Sequence, residues 1–267
     1  MIPTPAPGEA GGGYAALARH YDGFTQNMDY KRRTEYLCAL LCHAGAAPGA
    51  LVLDLACGTG IYTYALLERG WDVIGVDASP DMLAVAHERN SHRAQQSDGA
   101  VPQVPLLLCQ RLEELDLYGT AQAAACLTDS LNHLTEPREV RRFFRRLHLF
   151  LEPGAPFIFD VNTLYKHEHI LSDSTFLYES DSAYCVWQNQ WRSGDRTTDI
   201  TLDIFAREEG GLYARSREQF AERAYTPEEL TRWLQKAGFA VEHIYGELTQ
   251  LPPEADAQRL FFICRRE

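Results

Sequence analysis

The run Leu51-Val52-Leu53-Asp54-Leu55-Ala56-Cys57-Gly58-Thr59-Gly60 limits what this chain can fold into more than any other stretch. A short apolar segment is followed by a turn with two glycines. From Ile61 to Arg69 the pattern becomes helical. Strand, tight turn, helix is the opening βα unit of a nucleotide-binding α/β fold. Gly58 and Gly60 carry no Cβ, so a ligand can lie against their backbone. The helix behind them directs unpaired N–H groups at the same place. Asp54 ends the strand as an acceptor-only carboxylate.

A dinucleotide turn requires G-x-G-x-x-G. Here the third glycine position holds Thr63, so the close helix–strand packing that a glycine permits is not provided for. A second strand, Trp71 to Val76, ends at Asp77. That acid follows Gly60 at close to the spacing of roughly 20 residues expected of a ribose-binding carboxylate. Ser79 then reads as an N-cap, Pro80 as the first helical residue and Met82 as the start of an apolar face.

Asp54 to Gly60 resembles motif I of class I S-adenosylmethionine-dependent methyltransferases, and Gly75-Val76-Asp77-Ala78-Ser79-Pro80-Asp81-Met82-Leu83 resembles their second motif. The chain is similar to the bacterial small-molecule branch of that family, of unassigned substrate. The resemblance implies S-adenosyl-L-methionine as cofactor. It places Asp54, Ala56, Cys57, Gly58, Gly60, Asp77, Ala78 and Met82 around that cofactor, with Leu127 at the end of the fourth strand. It also implies an N-terminal helical lid whose aromatics, Tyr14, Tyr21 and Tyr30, either close over the cofactor or pack against the sheet. In the family the turn after the third strand carries an Asp that accepts from the adenine amino group. Here that position is Arg111, which has no acceptor. Gln110 supplies the acceptor, or Arg111 stacks on the ring, or the contact is lost; the backbone of Leu112 remains available.

The expected fold is α/β: a Rossmann-like seven-stranded mixed sheet with helices on both faces, an antiparallel β insertion and the helical lid. The boundaries read as a disordered tail over 1–13, the lid over 14–48, the cofactor-binding core over 49–171, the insertion over 172–222, and a closing helix and strands over 223–267. Asp29 to His43 is the second lid helix, and Asp81 to Arg89 follows the second strand. Asn90 to Pro102 is polar and reads as a loop. Val104 to Cys109 and Ala121 to Leu127 are the third and fourth strands. Pro137 to Leu151 is an amphipathic helix, and Ala155 to Val161 the fifth strand. Four alternating runs between Ser172 and Phe220 form the insertion, with turns at Ser193-Gly194-Asp195 and Glu209-Gly210-Gly211. Thr226-Pro227-Glu228-Glu229 is a capping box opening a helix that ends at Gly238. Two strands, Phe239 to Tyr245 and Gln258 to Cys264, complete the sheet.

Ligands of such sheets bind beyond the carboxyl ends of the strands. Thr128 to Leu134 therefore faces the acceptor. The Asn/Asp-Pro-Pro-Tyr sequence of nucleobase and glutamine methylators is absent, which argues against planar-amine and amide substrates. His133 is the candidate general base because imidazole titrates near neutrality, and Asp129 is the second catalytic candidate. Both residues have a structural reading as well. Asn132 and the insertion aromatics Tyr178, Trp187 and Trp191 are the substrate-side candidates, the aromatics serving the pocket or the insertion's own small core.

The net charge of -12 over 267 residues argues against a phosphate backbone as partner. The arginines at 138, 141, 142, 145 and 146 keep an RNA or ribosome-associated substrate as the alternative. A non-catalytic module that senses the cofactor is the third reading, kept open by Arg111. No stretch approaches the length of a membrane span. The N-terminus has neither the basic start nor the apolar core of a signal peptide. The seven cysteines are scattered with no C-x-x-C, so free thiols in a cytoplasmic setting, and no metal, are expected. The partner expected is a small-molecule methyl acceptor; the pattern leaves a homodimer open.

Overall fold

The computed structural model describes residues 15–96 and 103–267. Seven strands form the main sheet: β1 (Leu51–Leu55), β2 (Asp72–Asp77), β3 (Leu106–Cys109), β4 (Ala123–Cys126), β5 (Pro156–Asn162), β10 (Phe239–Gly246) and β11 (Arg259–Arg266). Their order is β10-β11-β5-β4-β1-β2-β3. The first five run parallel, and β11 pairs antiparallel with both β5 and β10. The chain leaves β1 towards β2 and β3, then returns to the other side of β1 with β4. The order reverses there, and a reversal opens a crevice at the strands' carboxyl ends.

Both faces of the sheet are covered, which explains why its central strands are apolar throughout rather than alternating. On one face α5 (Pro137–Leu149) and α6 (Pro227–Lys236) set Phe143, Phe144 and Leu234 against Phe157, Phe159 and Phe239. Phe159 and its cross-strand partner Phe262 stack with centroids 4.7 Å apart. On the other face α2 (Tyr30–His43) and α3 (Ile61–Leu67) set Leu37, Leu41 and Leu66 against Val52, Val73 and Ile158. Ala123, Ala124 and Ala125 are buried at the centre of the sheet.

The chain between β5 and α6 forms a second sheet of β6 (Thr175–Glu179), β7 (Ala183–Arg192), β8 (Thr197–Arg207) and β9 (Tyr213–Arg223), antiparallel and in sequence order. Its inner face, Cys185, Ile200, Leu202 and Ile204, packs on Leu17, Ala18 and Phe24 of α1 (Ala15–Phe24) and on Met82 of α4 (Pro80–Gln96). The lid helix and the insertion therefore share one small core.

Two expectations need correcting. The polar run from Asn90 does not begin a loop, because α4 continues to Gln96. Its residues are helix-compatible, with no Gly or Pro before Gly99. The missing third glycine does not loosen the packing of α3. Thr63 is fully buried and its hydroxyl donates to Asp54 Oδ2 at 2.5 Å. Space is made from the opposite side: a Cβ on Gly75 of β2 would sit 3.3 Å from Thr63 Oγ1 and 2.7 Å from Leu107 Cδ2. The capping box at Thr226 and Glu229 is formed. Residues 1–13 and Tyr14 lie outside the described residues, as does the end of the segment after α4. No helix among the described residues is long and apolar enough to cross a membrane.

Candidate active site

A cavity of about 420 Å³ lies at the reversal point, beyond the carboxyl ends of β1, β2 and β4. Its floor is the glycine turn. Gly58 takes a φ of +54° with open space where a Cβ would stand, so its backbone faces the cavity bare. Gly60 serves a different purpose. It takes a φ of +79° as the N-cap of α3, and a Cβ there would sit 2.9 Å from the Tyr64 ring. Gly60 does not line the cavity; it sets the helix that supports Gly58.

Asp77 ends β2 at the cavity wall. One of its oxygens accepts from the Gly58 N–H and the other from the Ser79 N–H, each at 2.8 Å. Those bonds fix the carboxylate and leave lone pairs on both oxygens for a diol. Burial pushes its pKa up, partly offset by the two N–H donors. Asp54 lies beneath the turn, with its pKa raised to about 7, chiefly by burial. Ala56, Cys57, Ala78, Met82, Leu112 and Leu127 line the walls as the motifs imply.

Tyr21 of α1 and Tyr30 of α2 cover the cavity, with Tyr62 edge-on to Tyr30 at 5.7 Å. The Tyr30 hydroxyl is buried beside the hydroxyls of Tyr21 and Thr25. The lid is tied down at two points. Glu218 of β9 accepts from the Ala16 and Leu17 N–H groups, both at 2.8 Å, and so caps α1. Asp22 accepts from Thr59 Oγ1 at 2.6 Å and pairs with Arg89, whose Nε donates to the Thr59 carbonyl at 3.1 Å.

The far end of the cavity is closed by His133 and by Phe220 of β9, whose rings lie 5.3 Å apart. Burial lowers the His133 pKa, so the imidazole is neutral at physiological pH. Behind it stands a buried polar cluster that sequence reasoning missed. Glu222 Oε1 lies 3.7 Å from His133 Nε2, and Oε2 lies 3.9 Å from His167 Nε2. Burial raises Glu222 to about 8. Its strand position could have signalled this: Glu218, Phe220 and Glu222 recur every second residue, so acids occupy an inward-facing row.

Asp129 and Asn132 hold this end together and do not line the cavity. Asp129 takes a left-handed φ of +53° and pairs with Arg259 of β11 at 2.6 Å. Arg259 reaches Asp160 as well, and Asp160 accepts from the N–H groups of Thr128 and Asp129. The guanidinium holds Asp129 well below the usual carboxylate range despite its burial. Asn132 is fully buried, donating to the Asn162 and Arg223 carbonyls and accepting from the Asn162 N–H. Donor atoms of Asp129, His133 and Glu222 lie within 4.8 Å of one another. Arg259 and Lys166 already bring positive charge to these acids.

The insertion aromatics Tyr178, Trp187 and Trp191 do not line the cavity. Tyr178 and Trp187 lie 5.9 Å apart and Trp187 backs Phe220 edge-on. Trp191 lies against His167. Phe220 and Ala221 are the residues that this sheet contributes to the cavity wall. Gln110 does not line the cavity either. Its amide is spent at both ends on Asp116, donating to the carbonyl at 3.0 Å and accepting from the N–H at 2.9 Å. Arg111 does line it, pairs with Glu113 and keeps a side chain 57% exposed.

Known methyltransferases resemble this chain in sequence and in fold. The family model described as "Methyltransferase domain" matches residues 52–154. A Geobacillus protein named as a methyltransferase, with no substrate in its name, is 29% identical over 254 residues, 95% of this chain and 99% of its own. The crystal structure of an S-adenosylmethionine-dependent methyltransferase from Clostridium acetobutylicum superposes with a TM-score of 0.82 at 25% identity, over 95% of this chain and 98% of that one. The S-adenosylmethionine-bound aminopentose methyltransferase CalS10 from Micromonospora echinaspora shares the fold, with a TM-score of 0.71 at 20% identity over 94% and 96%.

Proposed function

Since the chain is a class I S-adenosylmethionine-dependent methyltransferase, we infer that its methyl acceptor is a small molecule with an amine or hydroxyl nucleophile, bound between the glycine turn and the insertion. One observation carries this reading: a single covered cavity has Gly58 and Asp77 at one end and His133 and Phe220 at the other. The residues fit the cofactor. Gly58 leaves room against the backbone, and Asp77 offers fixed acceptors to a diol.

The cofactor supplies a methyl group made electrophilic by its sulfonium. The protein's share is alignment and the exclusion of water. Asp77 would hold the ribose, and Gly58, Ala56 and Cys57 the methionine end. Tyr21 and Tyr30 would close the site. The neutral His133 would take the acceptor's proton, which matters more for a hydroxyl than for an amine. In this reading the lid, 14–48, and the insertion, 172–222, grip the acceptor from two sides of the core, 49–171. Two of the five arginines behind the RNA reading are engaged within the chain: Arg146 donates to the Leu115 carbonyl and pairs with Asp116, while Arg141 covers Trp233.

Calorimetric titration with S-adenosylmethionine, followed by turnover against panels of small amines and alcohols, is the test. Asp77→Ala should weaken cofactor binding roughly ten- to a hundredfold, the worth of charge-assisted hydrogen bonds. His133→Ala should lower kcat and leave cofactor affinity within a fewfold. Methyl transfer to structured RNA, and to none of the small acceptors, would sink the assignment.

A further inference from the structure

Glu222 of β9 is 3% exposed, and no step above employs it. A carboxyl this deep ordinarily has a cation in direct contact. The cations that act on it, Lys166 and Arg259, make their contacts elsewhere. Lys166 Nζ donates to Asn162 Oδ1 at 2.9 Å, and Arg259 spans Asp129 and Asp160. Asn162 Nδ2 donates to Glu222 Oε2, but over 3.4 Å. What faces the two oxygens is a pair of imidazoles. Oε1 lies 3.7 Å from His133 Nε2, and Oε2 lies 3.9 Å from His167 Nε2. His167 is fully buried, with Nδ1 2.8 Å from Thr198 Oγ1, and its Nε2 makes no hydrogen bond among the described residues. One strand presents both supports of His133: Phe220 packs on its ring, and Glu222, two residues on and on the same face, meets its nitrogen.

Methyl transfer to a hydroxyl or amine releases one proton. The new bond joins the nucleophile to the methyl carbon, the carbon–sulfur pair stays on sulfur, and the nucleophile's proton goes to His133. A buried imidazole is a poor resting place for it. Glu222, raised to about 8, holds a proton more tightly than His133, which burial lowers, or His167, lowered to about 4. The proton therefore runs downhill from His133 to the carboxylate behind it.

We propose that Glu222 is the positioning residue of the base: its ionised Oε1 holds the Nε2 proton of His133, so that the other ring nitrogen takes the acceptor's proton, and the Nε2 proton then passes to Glu222. The proposal rests on the reading of His133 as the base. One proton leaves the acceptor, one reaches Glu222, and His133 ends neutral in its other tautomer. The present gap exceeds a hydrogen bond; catalytic hydrogen bonds of this kind tighten as charge develops. Only the ionised carboxylate can act in this way. The groups that set its ionisation are His133 and Asp129 on the loop after β4, Lys166 and His167 of the segment Lys166–Leu171, and Arg259 of β11.

Nitrogen NMR of the histidine rings in the unaltered protein is the first test, run from about pH 6 to 10 to span imidazole and this carboxyl, with His133→Ala and His167→Ala assigning the signals. Both rings should shift together with one midpoint of about 8, and His133 should carry its proton on Nε2 above it. Glu222→Gln should remove that shared midpoint. Rings that stay constant through this range, or a His133 protonated on its other nitrogen above the midpoint, would overturn the proposal. The second test is kcat with an alcohol from the acceptor panel, since an alcohol does not itself titrate there. In the unaltered protein kcat should rise through the same midpoint. Glu222→Gln should lower it about tenfold to a hundredfold, part of what a general base supplies, and flatten the profile while leaving the KM for S-adenosylmethionine within a fewfold. A folded Glu222→Gln with unchanged kcat and profile, beside an impaired His133→Ala, would remove the role of Glu222 alone. Full kcat in His133→Ala would remove the base reading and this role together.

Discussion

A Cβ at Gly75 would lie 2.7 Å from Leu107 Cδ2 and 3.0 Å from Cys57 Sγ. Those neighbours belong to β3 and to the glycine turn, so a methyl group there wedges the two apart. Gly75→Ala should cost about 1–3 kcal/mol, as overpacking does, with a lower urea midpoint at unchanged slope. Glu222 makes the second prediction at this scale. Its pKa rises from an ordinary 4.5 to about 8 on folding, so the folded state binds the extra proton between those values. Stability then falls as pH rises through that window. Asp54, raised to about 7, acts in the same direction. His167, lowered to about 4, acts oppositely but only below 6.5. Above pH 6.5 the acids prevail, and the melting temperature should drop between pH 6.5 and 8. Glu222→Gln should flatten that slope in thermal melts across the same range, with His133, Lys166 and Arg259 left in place around it. Gly58 and Asp77 could be placed at the cavity from the sequence because each stands at the carboxyl end of a strand in a recognisable strand–turn–helix pattern. Glu222 and Arg259 could not, because their partners lie far away: Arg259 meets Asp129 across 130 residues.

Helix α1 shows how an element can be read correctly while its attachment is missed. The apolar spacing of Leu17, Ala18 and Tyr21 predicts a helix, and one forms. What holds it is invisible to periodicity: Glu218 caps it from the insertion, and Asp22 ties it to Thr59 and Arg89. Removing a cap costs about 0.5–2 kcal/mol. Glu218→Ala should raise amide hydrogen exchange along 16–24 while the strands of the main sheet keep their protection; uniform acceleration everywhere would instead mean global destabilisation. The capping box of α6 was legible because its two partners, Thr226 and Glu229, are neighbours. The length of α4 was not, since the sequence of its last turns carries no apolar rhythm.

The seven-stranded order was legible in outline, because alternating strand and helix patterns admit few arrangements once crossovers are right-handed. The closing of the molecule around the site was not. β11 enters between β5 and β10, and from it Arg259 reaches back to Asp129 and Asp160. Arg259→Leu should cost about 3–5 kcal/mol, the loss expected when a buried ion pair is broken from one side, with cofactor binding weakened through the displaced loop at 128–130. Replacing Asp129 and Asp160 by asparagine in the same chain should restore part of the melting temperature.

This placement of Arg259 has a temporal meaning. A chain in which β1 to β5 have paired but β11 has not carries Asp129 and Asp160 without the guanidinium that bridges them, with Lys166 the remaining positive charge beside Asp129. The two acids repel, and the loop that closes the cavity cannot settle. Docking of β11 thus acts as a completion signal: the loop at 128–130 is fixed only once Arg259 is in place. In refolding experiments, cofactor capture should lag behind the recovery of secondary structure, and its rate should follow the docking of β11.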